Sequence, residues 1–259
     1  MGVMPVIFVA HGAPMLALEP DKGAALTRWG QTLPKPRAIV AISAHWERSE
    51  PTLGTLDHAE LFYDFSGFPE ALYRVRYPAP GARELAQRVS QLLEPTYGAI
   101  AQRPERRLDH GVWVPLRWLF PDAQVPIVQL SLPKGDQPDA AWQLGQTLAP
   151  LRHEDVLIVS SGVLVHNLGH LDWRPHAPIP PWAQAFDAWC TQALLDWDTT
   201  ALRNYRAAAP EAKLVHPTPE HFTPLLVAAG AADAGPHAVQ FPVTGFEYGS
   251  ISRRCVQFG

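Results

Sequence analysis

The chain has 259 residues, 47% of them apolar, and a formal charge of -4 with its basic residues scattered along the sequence. A chain of this length buries about three-quarters of its unfolded surface, so it needs neither disulfides nor a structural metal to fold. The densest basic cluster, Arg103 to Arg107, is interrupted by Pro104 and Glu105, which speaks against a nucleic-acid or anionic-membrane surface.

Cys190 and Cys255 lie far apart and form no CxxC pair, as suits a reducing cytosol. No basic n-region precedes a long apolar core at the N-terminus. No apolar run approaches the ~18 residues needed to span a bilayer. A cytoplasmic protein is expected. The 27 prolines imply many fixed turns rather than disorder, because strong apolar runs separate them.

In chain order, Val6–Ala10 is a buried strand, and Asp21 is placed to cap a helix reaching Leu33, stopped by Pro34. A second strand runs from about Ala38 to Ser43. Pro80 opens a helix with Leu85, Val89, Leu92 and Leu93 on one face. Pro126 to Leu132 is a third strand. Asp139 can cap a helix carrying Ala141, Leu144 and Leu148, and Asp155 to Ser160 is a fourth strand. Pro181 starts a helix with Trp182, Phe186 and Trp189 on one stripe, more suited to core packing than to a cofactor platform. Residues 221 to 229 form a short helix ending at Gly230, and the last 15 residues favour strand. Strands alternating with helices predict one α/β domain over residues 1–259, with a largely parallel central sheet flanked by helices. The Pro-rich stretch 174–181 is a surface loop.

Four histidines fall where strand turns into loop or helix: His11, His45, His166 and His221. In open α/β sheets, ligands bind outside the carboxyl ends of strands. Imidazole is the commonest neutral metal ligand and the usual near-neutral proton carrier, so repeated delivery to one rim points to a metal site with a base beside it. Each motif alone is weak. His11-Gly12 fits a cleft-facing imidazole after a tight turn and a hydrogen-bonded loop histidine equally well. His45, before Trp46 and Glu47, fits a ligand oriented by Glu47 or a core histidine under an indole. His166 comes after small polar residues and fits a ligand or a general base, with Asn167 either orienting it or capping the next turn. Beside His221, Glu220 is an alternative ligand that completes a two-His, one-carboxylate set. His110 is a candidate second acid/base or substrate contact, with a structural loop role equally open. His58, His153, His170, His176 and His237 read as surface residues. No GxGxxG, Walker loop or GxSxG is present.

Together the motifs resemble the class III extradiol ring-cleavage dioxygenases, in their 4,5-DOPA-dioxygenase-like branch. The matching segments are His11-Gly12-Ala13-Pro14-Met15, Ser43-Ala44-His45-Trp46-Glu47, Tyr63-Asp64-Phe65-Ser66-Gly67-Phe68-Pro69, Tyr77-Pro78-Ala79-Pro80-Gly81, Asp109-His110-Gly111-Val112-Trp113, His166-Asn167-Leu168, Pro219-Glu220-His221-Phe222 and Tyr248-Gly249-Ser250. They occur in the family's order and span essentially the whole chain. Ala13 stands where serine is frequent, with little expected effect because Gly12 and Pro14 set the turn.

The resemblance implies one divalent ion held by His11, His45 and His221, with His166 as the active-site base that in some metal-bound forms also touches the ion. It implies His110 in the substrate pocket, and Trp113 and Tyr248 packed against the ring. Three neutral imidazoles leave the full 2+ charge on the ion, which a catecholate chelating through both oxygens would offset. Three histidines also suit zinc, which has no redox chemistry. Fe(II) is therefore expected for turnover and Zn(II) in protein purified without added iron. The implied reaction opens a catechol-type ring, DOPA-like or related, next to its diol with O2. A zinc-dependent hydrolase, or a metal-binding protein without turnover, is the alternative on the same residues.

Overall fold

The computed structural model describes every residue except Met1, Thr55, Leu56, His58, Ala59, Pro175 and Pro236. The expected surface position of His58 thus lies outside the described residues. The strands are Val6–Ala10 (β1), Ala38–Arg48 (β2), Thr52–Gly54 (β3), Ala101–Arg103 (β4), Ile127–Pro133 (β5), Val156–Gly162 (β6), Val239–Gln240 (β7), Phe246–Glu247 (β8), Ile251–Ser252 (β9) and Val256–Phe258 (β10). Eight of these form one sheet in the order β4-β3-β5-β2-β6-β1-β10-β7, and β8 pairs with β9. The centre β5-β2-β6-β1 is parallel throughout, with β1, β2 and β6 each buried along all or most of their length. Burial on both faces explains why these strands read as continuous apolar runs rather than alternating ones.

Successive residues of each strand feed opposite layers. Val6, Phe8, Val40, Ile42, Val128 and Ile158 pack with helices Arg83–Tyr97, Pro138–Leu148, Pro181–Leu195 and Thr223–Ala232. Ile7, Val9, Ile39, Ala41, Leu157 and Val159 pack with helices Pro20–Thr32 and His110–Leu119. The result is the expected α/β fold, a largely parallel sheet flanked by helices. No helix among the described residues is long and apolar enough to cross a membrane. Both cysteines are free and buried.

Several boundaries differ from those the sequence predicts. Pro20, not Asp21, begins the first helix, and Asp21 sits in its first turn without capping. The second helix begins at Arg83, not Pro80, because the Pro80 carbonyl accepts the Ile127 N–H at 2.9 Å and holds that segment against the sheet. Helix His110–Leu119 is invisible to periodicity because it is buried almost all round and carries Pro115, so it shows no polar face. Strands β3 and β4 are too short to leave a periodic signal.

Candidate metal centre

The parallel strands end at a common rim, and three local devices turn histidines into the space beyond it. After β1, Gly12 adopts φ +65°, a conformation suited to glycine, and Pro14 opens a 3-10 turn, as the motif implied. The ring of His11 is left at the rim, with its backbone N–H bonded to the Gly162 carbonyl at 3.3 Å. On β2 the pairing with β5 jumps from Ile42↔Leu130 to Glu47↔Leu132, five steps on one strand against two on the other. The three extra residues bulge outward and re-aim His45 into the cleft. Beyond β6, the backbone carbonyl of His221 accepts the Val163 N–H at 3.0 Å. A Cβ on Gly162 would lie 2.3 Å from that oxygen, so only glycine lets the two segments approach.

These devices, with His110 at the first position of its helix and His166 in the loop after β6, bring five histidines to one cavity of about 500 Å³. Ring centroids of His11 and His45 lie 4.9 Å apart, and those of His45 and His110 4.1 Å. His221 stands 5.4 Å from His11 and 5.2 Å from His45. His166 lies flat against His221, centroids 3.5 Å apart and planes 8° from parallel. One nitrogen each from His11, His45 and His110 falls within 4.8 Å of the others. His110, expected from the sequence as an acid/base or pocket residue, therefore also sits within reach of an ion.

Outer partners fix the ring orientations. Ser161 donates its hydroxyl to the Gly111 carbonyl, so its oxygen accepts the Nδ1–H of His11 at 2.9 Å. That places the Nε2 lone pair of His11 toward the cavity. Asp64 takes both the backbone N–H of His110, at 3.0 Å, and its Nδ1–H, at 2.9 Å. Glu220 accepts the Nδ1–H of His221 at 3.0 Å and is itself held by the Thr218 hydroxyl at 2.9 Å. Acceptors behind an imidazole are the usual way a metal ligand's tautomer is set. Behind His45, Ser43 receives the His45 N–H at 3.2 Å and donates to buried Asp109 at 2.6 Å. Arg106 and Gln129, each at 2.6 Å, complete the partners of that carboxylate.

Burial, followed by the neighbouring imidazoles, holds His11 and His221 well below the ordinary histidine range. Burial also lowers His45 to about 4, with His110 as the next cause. It lowers His166 to about 4 as well, against an opposing pull from Glu220. Near neutral pH these four rings are uncharged and offer lone pairs. A cluster of neutral imidazole donors with anchored Nδ1 atoms fits a divalent ion of the zinc or iron(II) class.

Some sequence-based roles need correction. Trp113 does not line the cavity: it is fully buried, its Nε1 donates to the Phe62 carbonyl at 3.3 Å, and its ring packs at 6.3 Å from Phe65. Phe65, 5.9 Å from His110, lines the cavity in its place. Glu47 accepts from the Gly135 N–H at 2.9 Å and has no bond to His45. Asn167 caps the turn after it, accepting the Gly169 N–H at 2.9 Å. Tyr248 lines the cavity, and His153, His170, His176 and His237 are exposed. Asp64 and Ser161 carry roles that the sequence does not reveal. Asp64 stands in a segment that the motifs already mark and Ser161 near the end of β6, but nothing in a linear motif shows which acceptor will face which ring.

The family model for the catalytic LigB subunit of aromatic ring-opening dioxygenase matches residues 6–258. The chain is 40% identical to a 4,5-DOPA dioxygenase extradiol of Beta vulgaris, over 89% of this chain and 87% of that one. It is also 40% identical to a 4,5-DOPA dioxygenase extradiol of Escherichia coli K12, over 99% of this chain and 95% of the other. The crystal structure of an uncharacterised Escherichia coli K12 protein superposes with a TM-score of 0.82 at 34% identity, covering 99% of this chain and 100% of that one.

Proposed function

Because the chain belongs to the family of the catalytic LigB subunit of aromatic ring-opening dioxygenases, we propose that it cleaves a catechol-type substrate extradiol with O2, using an ion held by His11, His45 and His221. The observation that carries this reading is the convergence of five histidines on one cavity at the carboxyl ends of parallel strands. The third ligand is His221 rather than Glu220, because that carboxylate is engaged with the Nδ1 of His221. His221 is also preferred to His110, which begins a helix of ten residues. Asp64 accepts both the backbone N–H and the Nδ1–H of His110 and so orients its ring, which suits it to hydrogen-bond a substrate oxygen. Iron(II), when bound, supplies the one-electron chemistry that lets a catechol react with O2. Zinc fits the same donors without it.

The remaining work falls to side chains. His166, neutral and beside His221, accepts a phenolic proton as the diol enters. The same imidazole can return that proton to the opening product. His110, oriented by Asp64, hydrogen-bonds the substrate where negative charge gathers. Phe65 and Tyr248 flank the ring and exclude water.

Anaerobic loading with iron(II) followed by O2 uptake on a catechol panel tests this reading. One O2 consumed per ring opened is expected. Stoichiometric iron binding without O2 uptake on any catechol would contradict it.

A further inference from the structure

Beyond the histidines, the cavity wall is apolar. Phe65, Phe68, Leu168, Leu171, Trp173 and Tyr248 supply much of it, and no lining side chain among the described residues is a Lys, Arg, Asp or Glu. Leu168 and Trp173 are 64% and 70% exposed, the two most exposed large hydrophobic residues described, and both lie on this one cavity. Large apolar side chains left in water at the edge of a pocket mark where a ligand covers them. Trp173 and Tyr248 pack at 4.7 Å, centroid to centroid. Tyr248 is held in the left-handed region, φ +50°, its carbonyl accepting the N–H of Asp172 at 2.9 Å and of Ser250 at 3.0 Å. A non-glycine residue kept there by its surroundings marks a position that the structure over-determines.

Behind the histidines, Asp64 and Glu220 are held by His110 and His221, and on the Tyr248 side of the cavity the charges pair with one another. Lys22, over the Tyr248 ring, bonds both oxygens of Glu19, at 2.9 and 3.0 Å. Arg253 pairs with Glu247 at 3.2 Å. Arg174, next to Trp173, forks onto Asp172 at 2.9 and 2.5 Å. A substrate bearing an ammonium and a carboxylate would therefore find no lining side chain of fixed opposite charge to pair with, and would lose hydration with little compensation. A cavity of about 500 Å³ also leaves room beyond a bare diol ring.

Resting on the catechol reading, we propose that this site selects catechols whose ring carries an uncharged apolar substituent, with that tail covering Leu168 and Trp173 beside Tyr248. The tail gains affinity by burial, at about fourfold for each methylene removed from water. Charged side chains of similar length are disfavoured.

The test uses zinc-loaded protein, so that binding is read without turnover. Calorimetric titration with catechol, 4-butylcatechol, 3,4-dihydroxyphenylpropionate and L-DOPA gives the ranking. We expect 4-butylcatechol to bind at least about tenfold more tightly than catechol and than either charged analogue. Trp173→Ala should shrink the butylcatechol-to-catechol affinity ratio several-fold, and iron-loaded protein should show the same order in kcat/KM. Equal or tighter binding of L-DOPA, or a ratio unmoved by Trp173→Ala, overturns the selectivity while leaving the catechol reading intact. Failure of every catechol to bind zinc protein and to be cleaved by iron protein overturns both.

Discussion

The Nε2 atoms of His11 and His45 stand 3.2 Å apart. Because Ser161 takes the Nδ1–H of His11, the His11 nitrogen presents a lone pair at that contact. Ser161→Ala removes the acceptor that fixes this tautomer. Loss of such an outer partner typically weakens metal binding about 10- to 100-fold. Competition with a calibrated zinc chelator should show that drop, and Ser161→Ala with wild-type affinity would mean that the Nδ1 bond does not set the ring.

Three substitutions separate the candidate third ligands. His221→Ala should purify without stoichiometric ion, whereas His110→Ala should keep it. Glu220→Gln should retain the ion with affinity lower by about tenfold, because the amide oxygen can still accept the Nδ1–H. Elemental analysis after identical loading reads all three. Metal lost in His110→Ala and kept in His221→Ala would move the third position to the His110 nitrogen, which already lies within reach.

The histidine cluster, together with the buried His216 that is lowered to about 3, makes the metal-stripped protein sensitive to acid. His45 and His166 are lowered to about 4, and His11 and His221 are also depressed. Between about pH 6.5 and 4 the unfolded chain takes up protons that the folded chain refuses, so stability falls as pH falls. Above about 6.5 these groups are neutral in both states and stability is flat with respect to them. Urea midpoints of stripped protein should therefore hold level down to about pH 6.5 and decline from there to pH 5. Midpoints unchanged over that range would show that the rings are not shielded as the structure indicates.

Trp113 supports the fold rather than the substrate. Its indole is fully buried against Tyr63 and Phe65. Trp113→Ala should cost about 3–5 kcal/mol in unfolding free energy. Residual folded, iron-loaded enzyme should bind catechol with affinity near that of the parent. A large loss of catechol affinity with little loss of stability would return this residue to the pocket wall.

The central sheet is legible in the sequence because β1, β2, β5 and β6 are buried on both faces and read as unbroken apolar runs. The histidines are legible because each falls where such a run stops or a helix begins. What no periodicity encodes is the three-residue bulge that re-aims His45, or the pairing of His110 with Asp64 across 46 positions. Trp113 misleads because a tryptophan close to an active-site histidine reads the same whether it faces the cavity or the core. Only the burial of helix His110–Leu119 decides it. Pro80 misleads for a related reason, since its carbonyl answers a strand donor rather than a helix.

The division of labour is tested most directly by His166→Ala in iron-reconstituted protein, with iron content, catechol affinity and O2 uptake measured on one preparation. His166 is placed as the proton acceptor, and removing a general base typically costs about 10²–10⁴-fold in rate. The variant should keep its iron and its catechol affinity while turnover falls by that factor. Iron lost together with activity would make His166 a ligand, and full activity would contradict the assignment outright.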